Sequence, residues 1–337
     1  MGREERMREK QLDDDITSAL GHCSTGGAEP LPALPAAVRD YVHAALAPRT
    51  RQAYREDLAR FLAWGGRIPC GPEIVAAYLA AHGESHAPAT LGRWAVSLGR
   101  AHTSQGLADP GRSDLVRATL RGIRRARGVA PRQVAPLERE ALLAVLAPLG
   151  EAPRDARDKA LLLIGFAAAL RRSELVALTA ADAAFTAQGL VLTVRRSKTD
   201  QEGAGRQIGI PPARGPVCPV RALRAWLATA AGLQRAGEPA TPAPLFRPID
   251  RHGRLAPQAL SGHAVAAIVK ERAAAAGLDP ERFSGHSLRA GFCTAAARHG
   301  APTWRIQQIS GHQTHASLER YIRAGQLFDD HPLEGLL

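Results

Sequence analysis

A chain of 337 residues is long enough for two domains that each bury a core. It carries 44 Lys plus Arg against 32 Asp plus Glu, a formal charge of +12, and nearly all of the excess is arginine, whose planar fork suits phosphate. That charge points to a polyanionic partner, with nucleic acid first in line, while four scattered cysteines without a C-x-x-C pair argue against a zinc ribbon or a disulfide framework.

Residues 1–30 are charged, then Gly- and Ser-rich, without periodic apolar positions; they read as a flexible tail and not as a secretory leader. No apolar run approaches the roughly 18 residues of a membrane span. The expectation is a cytoplasmic protein with no membrane partner.

Residues 31–128 are patterned as helices throughout. Across 49–64, Tyr54, Leu58, Phe61 and Leu62 repeat at the spacing of one buried face. Pro72 opens a second helix carrying Ile74, Val75, Tyr78 and Leu79, and a third runs from 89 to 104. The fourth is expected to turn Leu115, Val116, Leu120 and Ile123 inward and to align Arg117, Arg121 and Arg124 on another face. With Arg125, Arg127 and Arg132, that stripe is either a solvated face or a DNA-facing one. Two prolines make 129–136 an extended linker between domains.

The second half, 137–325, reads as helices at 137–148 and 154–170, a strand pair at 190–196 and 206–210, then helices at 219–231, 257–276, 286–299, 302–310 and 314–323. A Pro-rich stretch at 237–248 reads as a surface loop. The last segment, 326–337, is a short tail whose Phe328, Leu333, Leu336 and Leu337 could fray or dock on a neighbour.

Five short segments of this half could carry chemistry. An apolar helix is expected to end in Arg171 and Arg172, with Glu174 three residues on to orient the first guanidinium. Lys198 lies in a polar connection between the two strands. His286 and Arg289 share a helical face at i, i+3, the pair Gly311-His312 precedes a helix, and Tyr321 follows nine residues later. Each segment alone is as well explained by surface charge, helix capping or core packing.

In order and spacing together, Arg-x-Ser-Glu-Leu, Lys, His-x-x-Arg, Gly-His and Tyr resemble the catalytic signature of the tyrosine recombinases. The resemblance is strong over 137–325 and weaker over 31–128, which is similar to that family's helical core-binding domain. It implies a mainly α, two-domain DNA clamp with a small antiparallel sheet, and a homotetramer assembled on two double-stranded recombination sites. By the same resemblance Tyr321 attacks the scissile phosphate, Arg171, Arg289 and His312 bind its non-bridging oxygens, and His286 is the base. Lys198 protonates the leaving oxygen, Glu174 supports Arg171, and no metal or other cofactor takes part. The chain departs from the pattern at Ala169, where a glycine is usual, and at Arg172, which could stand in for Arg171.

Three other readings remain open from the sequence: a non-catalytic helix-turn-helix regulator built on 286–323, a zinc nuclease using His312 and His315, and a type IB topoisomerase.

Overall fold

The computed structural model describes residues 45–128, 134–195, 205–215, 217–233 and 243–325. They fall into two compact units, one ending at Pro131 and one beginning at Arg132. Both are helical, and the second also carries a three-stranded antiparallel sheet, so the fold class is the expected one. No helix among the described residues is long and apolar enough to cross a membrane.

The first unit contains α1 (Pro48–Ala63), α2 (Pro72–Ala81), α3 (Pro88–Thr103) and α4 (Asp114–Arg127). Proline opens each of the first three, where its missing N–H and fixed φ cost nothing, and the Ser113 hydroxyl caps α4 by accepting from the Val116 N–H. Leu58, Phe61, Tyr78, Leu79, Trp94, Leu98, Val116 and Leu120 close a common core. Inside it Asp57 is buried, and its Oδ2 accepts from Ser97 at 2.7 Å and from Arg93 at 2.8 Å; Oδ1 has no hydrogen-bond partner among the described residues, and burial raises the carboxyl above its usual range despite Ser97 and the arginines beside it. Leu115 was expected to point inward but is 46% exposed. The buried face of α4 is the i, i+4 pair Val116 and Leu120 with Ile123 beside it, and Leu115 lies one residue, about 100°, off that face.

The second unit is built around α6 (Pro153–Ala167), buried at every position from Ala160 to Gly165. It packs against α8 (Pro219–Leu233) and α10 (Gly285–Arg298). The remaining helices are α5 (Arg139–Leu146), α7 (Arg172–Ala177), α9 (Gly262–Ala275), α11 (Thr303–Ser310) and α12 (His315–Gly325). The sheet has the order β1 (Ala183–Thr186), β2 (Gly189–Val194), β3 (Arg206–Ile210), with Phe185 opposite Leu190 and Leu192 opposite Ile208. Alternation then turns Leu190, Leu192, Val194, Ile208 and Ile210 into the core.

Several boundaries differ from the expectation. Alternation in the sequence predicts two strands; β1 is a third, too short at four residues for its own alternation to register. The expected helix at 257–276 begins only at Gly262, where the Ser261 hydroxyl caps it. The described part of the expected surface loop is core instead: Leu245 and Phe246 are buried, and Leu245 donates to the Leu178 carbonyl at 2.8 Å while accepting from Trp226 Nε1 at 2.7 Å. Proline content marks where helix is resisted, and here the extended chain it leaves lies against the body of the unit.

The largest departure lies at the end of α6. Arg171 does not terminate that helix. The Ala169 N–H donates to Phe166 O at 2.9 Å and the Leu170 N–H to Gly165 O at 3.1 Å, the two reverse bonds of a Schellman stop. Ala169 stands at the left-handed position of that stop with φ 48°, the place a glycine would normally fill. The chain thus reverses before Arg171, which becomes the N-cap residue of the next helix, α7.

Candidate active site

Because the chain turns at Ala169, the Arg171 side chain is delivered to Glu174 rather than along the α6 axis. Glu174 is almost wholly buried; its carboxylate accepts from the Arg171 backbone N–H at 3.0 Å and from Arg171 Nη1 at 2.7 Å. Burial alone would raise this carboxyl, but the Arg206 guanidinium and then Arg171 hold it below the usual carboxylate range, so it stays charged. Arg172 lies elsewhere, its stem packed so closely over Gly285 that a Cβ there would sit 2.5 Å from Arg172 Cγ and Cδ.

Three consecutive residues at the end of α11 gather the rest of the site. The Ser310 carbonyl accepts from Arg289 Nη1, the Gly311 carbonyl from Arg171 Nη2 at 3.1 Å, and Nδ1 of His312 lies 2.7 Å from Ser310 Oγ. Gly311 makes this possible by adopting φ 64° as the C-cap of α11, so the chain turns back toward the two arginines.

Arg289 sits one turn into α10 and is 1% exposed. Its Nη1 also donates to the Ala169 carbonyl at 2.9 Å, while Nη2 is buried with no hydrogen-bond partner. Burial, and secondarily repulsion from Arg171, lowers its pKa to about 10, still well above neutrality. A charged donor buried without an acceptor is costly, and an anion is the group that would relieve it.

Burial first, then Arg289 and Arg171, push the His312 pKa down to about 3, so its imidazole is neutral near pH 7. The Ser310 hydroxyl lies 2.7 Å from His312 Nδ1 and 3.4 Å from Gln307 O. In the tautomer where that hydroxyl donates to Nδ1, the imidazole proton is on Nε2, available to an incoming acceptor.

Tyr321 is half-buried on α12, against the small cluster of Cys293, Ala297, Ile306 and Leu318 that holds α12 to α10 and α11. Its ring lies 5.7 Å from the His312 ring, and its Oη is 2.7 Å from Nε2 of the exposed His286.

The structure therefore brings Arg171, Glu174, His286, Arg289, His312 and Tyr321 into one connected cluster. Lys198 lies outside the described residues, as does Arg132. Arg117, Arg121, Arg124 and Arg125 are exposed on the first unit, but Arg127 turns back to donate to the Gly83 and Glu84 carbonyls just beyond α2. Sequence reasoning missed Arg206, which donates to Glu174 at 2.9 Å, and Ser310, which binds both Arg289 and His312. Nothing local in the sequence marks Arg206. Among the described residues no three His, Cys, Asp or Glu side chains gather as metal ligands would, so His312 and His315 find no third partner there.

Comparison with known proteins shows the family. The chain matches the phage integrase family over residues 134–326. It is 37% identical over 298 residues to an integrase/recombinase xerD homolog of Selenomonas ruminantium, covering 85% of each chain. It is 30% identical over 293 residues to the tyrosine recombinase XerD of Xanthomonas axonopodis pv. citri (strain 306), covering 84% of this chain and 89% of that one.

Among solved structures it resembles XerH site-specific recombinase, captured in a post-cleavage complex with palindromic difH substrate, with a TM-score of 0.60 at 19% identity over 85% of this chain and 78% of that one. The Tn1549 transposon integrase in complex with transposon right end DNA gives 0.59 at 18% identity over 89% of this chain and 95% of that one. At such identities the structural likeness is one of fold. The sequence relatives go further and set the regulator reading aside: the chain belongs to the phage integrase family and is a site-specific tyrosine recombinase.

Proposed function

We propose that the protein cleaves and rejoins double-stranded DNA at specific sites through a 3′-phosphotyrosyl link to Tyr321. The phenolic oxygen attacks phosphorus, His286 takes its proton, the bond from phosphorus to the 5′ oxygen breaks, and Lys198 protonates that oxygen. The link conserves the energy of the phosphodiester, so rejoining is the same step reversed and calls for neither metal nor nucleotide. Arg171, Arg289 and Nε2 of His312 receive the non-bridging oxygens, where charge grows as five-coordinate phosphorus forms. Glu174 holds Arg171 in place.

The first helical unit, through Arg117, Arg121, Arg124 and Arg125, grips the duplex by its phosphates together with Arg132, which follows that unit in the chain, and four protomers act on two sites in the cytoplasm. Arg127 is a weaker member of that set, since its side chain is already engaged. The observation that carries the catalytic reading is the unpartnered, buried Nη2 of Arg289 within a cluster that also holds a tyrosine hydroxyl hydrogen-bonded to an imidazole.

The test begins with a duplex enriched from a random-sequence pool by binding to this protein. Incubation in EDTA without nucleotide should give an SDS-stable protein–DNA adduct with the wild type and none with Tyr321→Phe, which should still bind the duplex. Adduct from the Phe variant at the wild-type rate, or an absolute requirement for a divalent ion, would sink the proposal.

A further inference from the structure

We propose that Arg206 is a positioning residue for strand cleavage: it occupies the second side of the Glu174 carboxylate, so that Arg171 keeps its positive charge for the phosphate. The inference rests on the recombinase reading above and adds to it a residue that acts through Arg171.

The Glu174 carboxylate takes a guanidinium from each side. Oε1 accepts from Arg171 Nη1 at 2.7 Å and is 3.5 Å from Arg206 Nη1; Oε2 accepts from Arg206 Nη2 at 2.9 Å and from the Arg171 backbone N–H at 3.0 Å. With only Arg171, a buried carboxylate and a guanidinium form a neutral pair, and the attraction of that pair for an anion is largely cancelled. With Arg206 the set of three carries a net +1. Geometry and charge thus divide the work: Glu174 fixes the direction of Arg171, and Arg206 compensates the charge that this costs.

Arg206 also lies directly beneath the turn that holds the other end of Arg171. A Cβ on Gly311 would sit 2.6 Å from Arg206 Nη1 and 2.9 Å from its Cζ, and the Gly311 carbonyl is the acceptor for Arg171 Nη2. Arg206 therefore touches both groups that orient Arg171. It is itself anchored, since it opens β3 and pairs with Val194 of β2. Its Nε is buried without a hydrogen-bond partner, so the side chain forgoes one hydrogen bond in holding this pose.

The experiment measures single-turnover adduct formation on the enriched duplex at saturating protein for wild type, Arg206→Gln, Arg206→Gln with Glu174→Gln, and Arg206→Gln with Arg171→Ala. Arg206→Gln should slow the step by roughly 10- to 100-fold, the range for a charge-assisted hydrogen bond, with half-saturation by DNA little changed. Adding Glu174→Gln removes the uncompensated carboxylate and should restore about tenfold or more, which mere damage to the fold would not permit. In the Arg171→Ala background the Arg206→Gln change should cost less than about threefold, because nothing remains for it to act through. Wild-type cleavage by Arg206→Gln, no recovery with Glu174→Gln, or multiplicative loss with Arg171→Ala would each overturn the proposal. Absence of adduct from the wild type would instead overturn the recombinase chemistry on which it rests.

Discussion

The hydroxyl of Tyr321 lies 2.7 Å from Nε2 of His286, a contact that joins α12 to the first turn of α10 across 35 residues of sequence. Because His286 is exposed, water can partly replace it, so His286→Ala should slow cleavage on the order of 10²-fold, the low end for a general base. A more acidic phenol needs less help losing its proton. Replacing Tyr321 by a difluorotyrosine should therefore shrink the His286→Ala penalty by about tenfold. An equal penalty with both phenols, read from single-turnover rates, would leave His286 a positioning role only.

His312 makes stability depend on pH with a definite sign. Its folded pKa of about 3 lies below the value of roughly 6.5 expected of an unfolded histidine. Between those values the unfolded chain binds the extra proton, so stability rises with pH: the contribution is complete above about pH 6.5 and is lost as pH falls toward 3. His312→Asn should flatten the dependence of unfolding free energy on pH between about 4 and 6.5, by up to roughly 1.4 kcal/mol per pH unit. Denaturant melts across that window check it, and parallel curves for the two proteins would contradict the assignment.

The arginines of α4 separate into two kinds. Arg117, Arg121 and Arg124 are exposed at i, i+4, i+7, whereas Arg127 binds the Gly83 and Glu84 carbonyls. If the first three touch phosphates, their combined replacement by Ala should reduce the slope of log K against log salt by about 0.9 for each phosphate no longer neutralised. Arg127→Ala should instead lower thermal stability and leave that slope nearly unchanged. An unaltered slope in the triple variant would make the stripe a solvated face.

Ala168 and Ala169 are both fully buried, yet only Ala169 has a left-handed backbone. Glycine at either position loses a methyl group and adds freedom to the unfolded chain. At Ala169 it also relieves left-handed strain of about 1–2 kcal/mol. Ala168→Gly should thus be the more destabilising of the two by about that amount in denaturant melts, and Ala169→Gly close to neutral. The reverse order would show that Ala169 bears no strain.

The sequence by itself determined which groups are candidates for the site and the family the chain resembles, because helical periodicity and the spacing of the Arg, His and Tyr motifs are local properties. His286 and Arg289 are one turn apart on α10 as their i, i+3 spacing requires, and Val116 and Leu120 face inward as their repeat predicts. What only the tertiary structure decided is how those groups meet. The Schellman stop at Ala169 moved Arg171 from the end of one helix to the start of another, a reversal that Ala-Ala-Leu does not announce because left-handed backbone is marked by glycine. Arg206 reaches Glu174 across 32 residues, and Arg289 reaches the Ala169 carbonyl across 120. Such contacts leave no periodic trace in the chain, since they depend on where β3 and α10 come to rest against α6 and α7, and burying charge in that place is tolerable only once all of its partners have arrived.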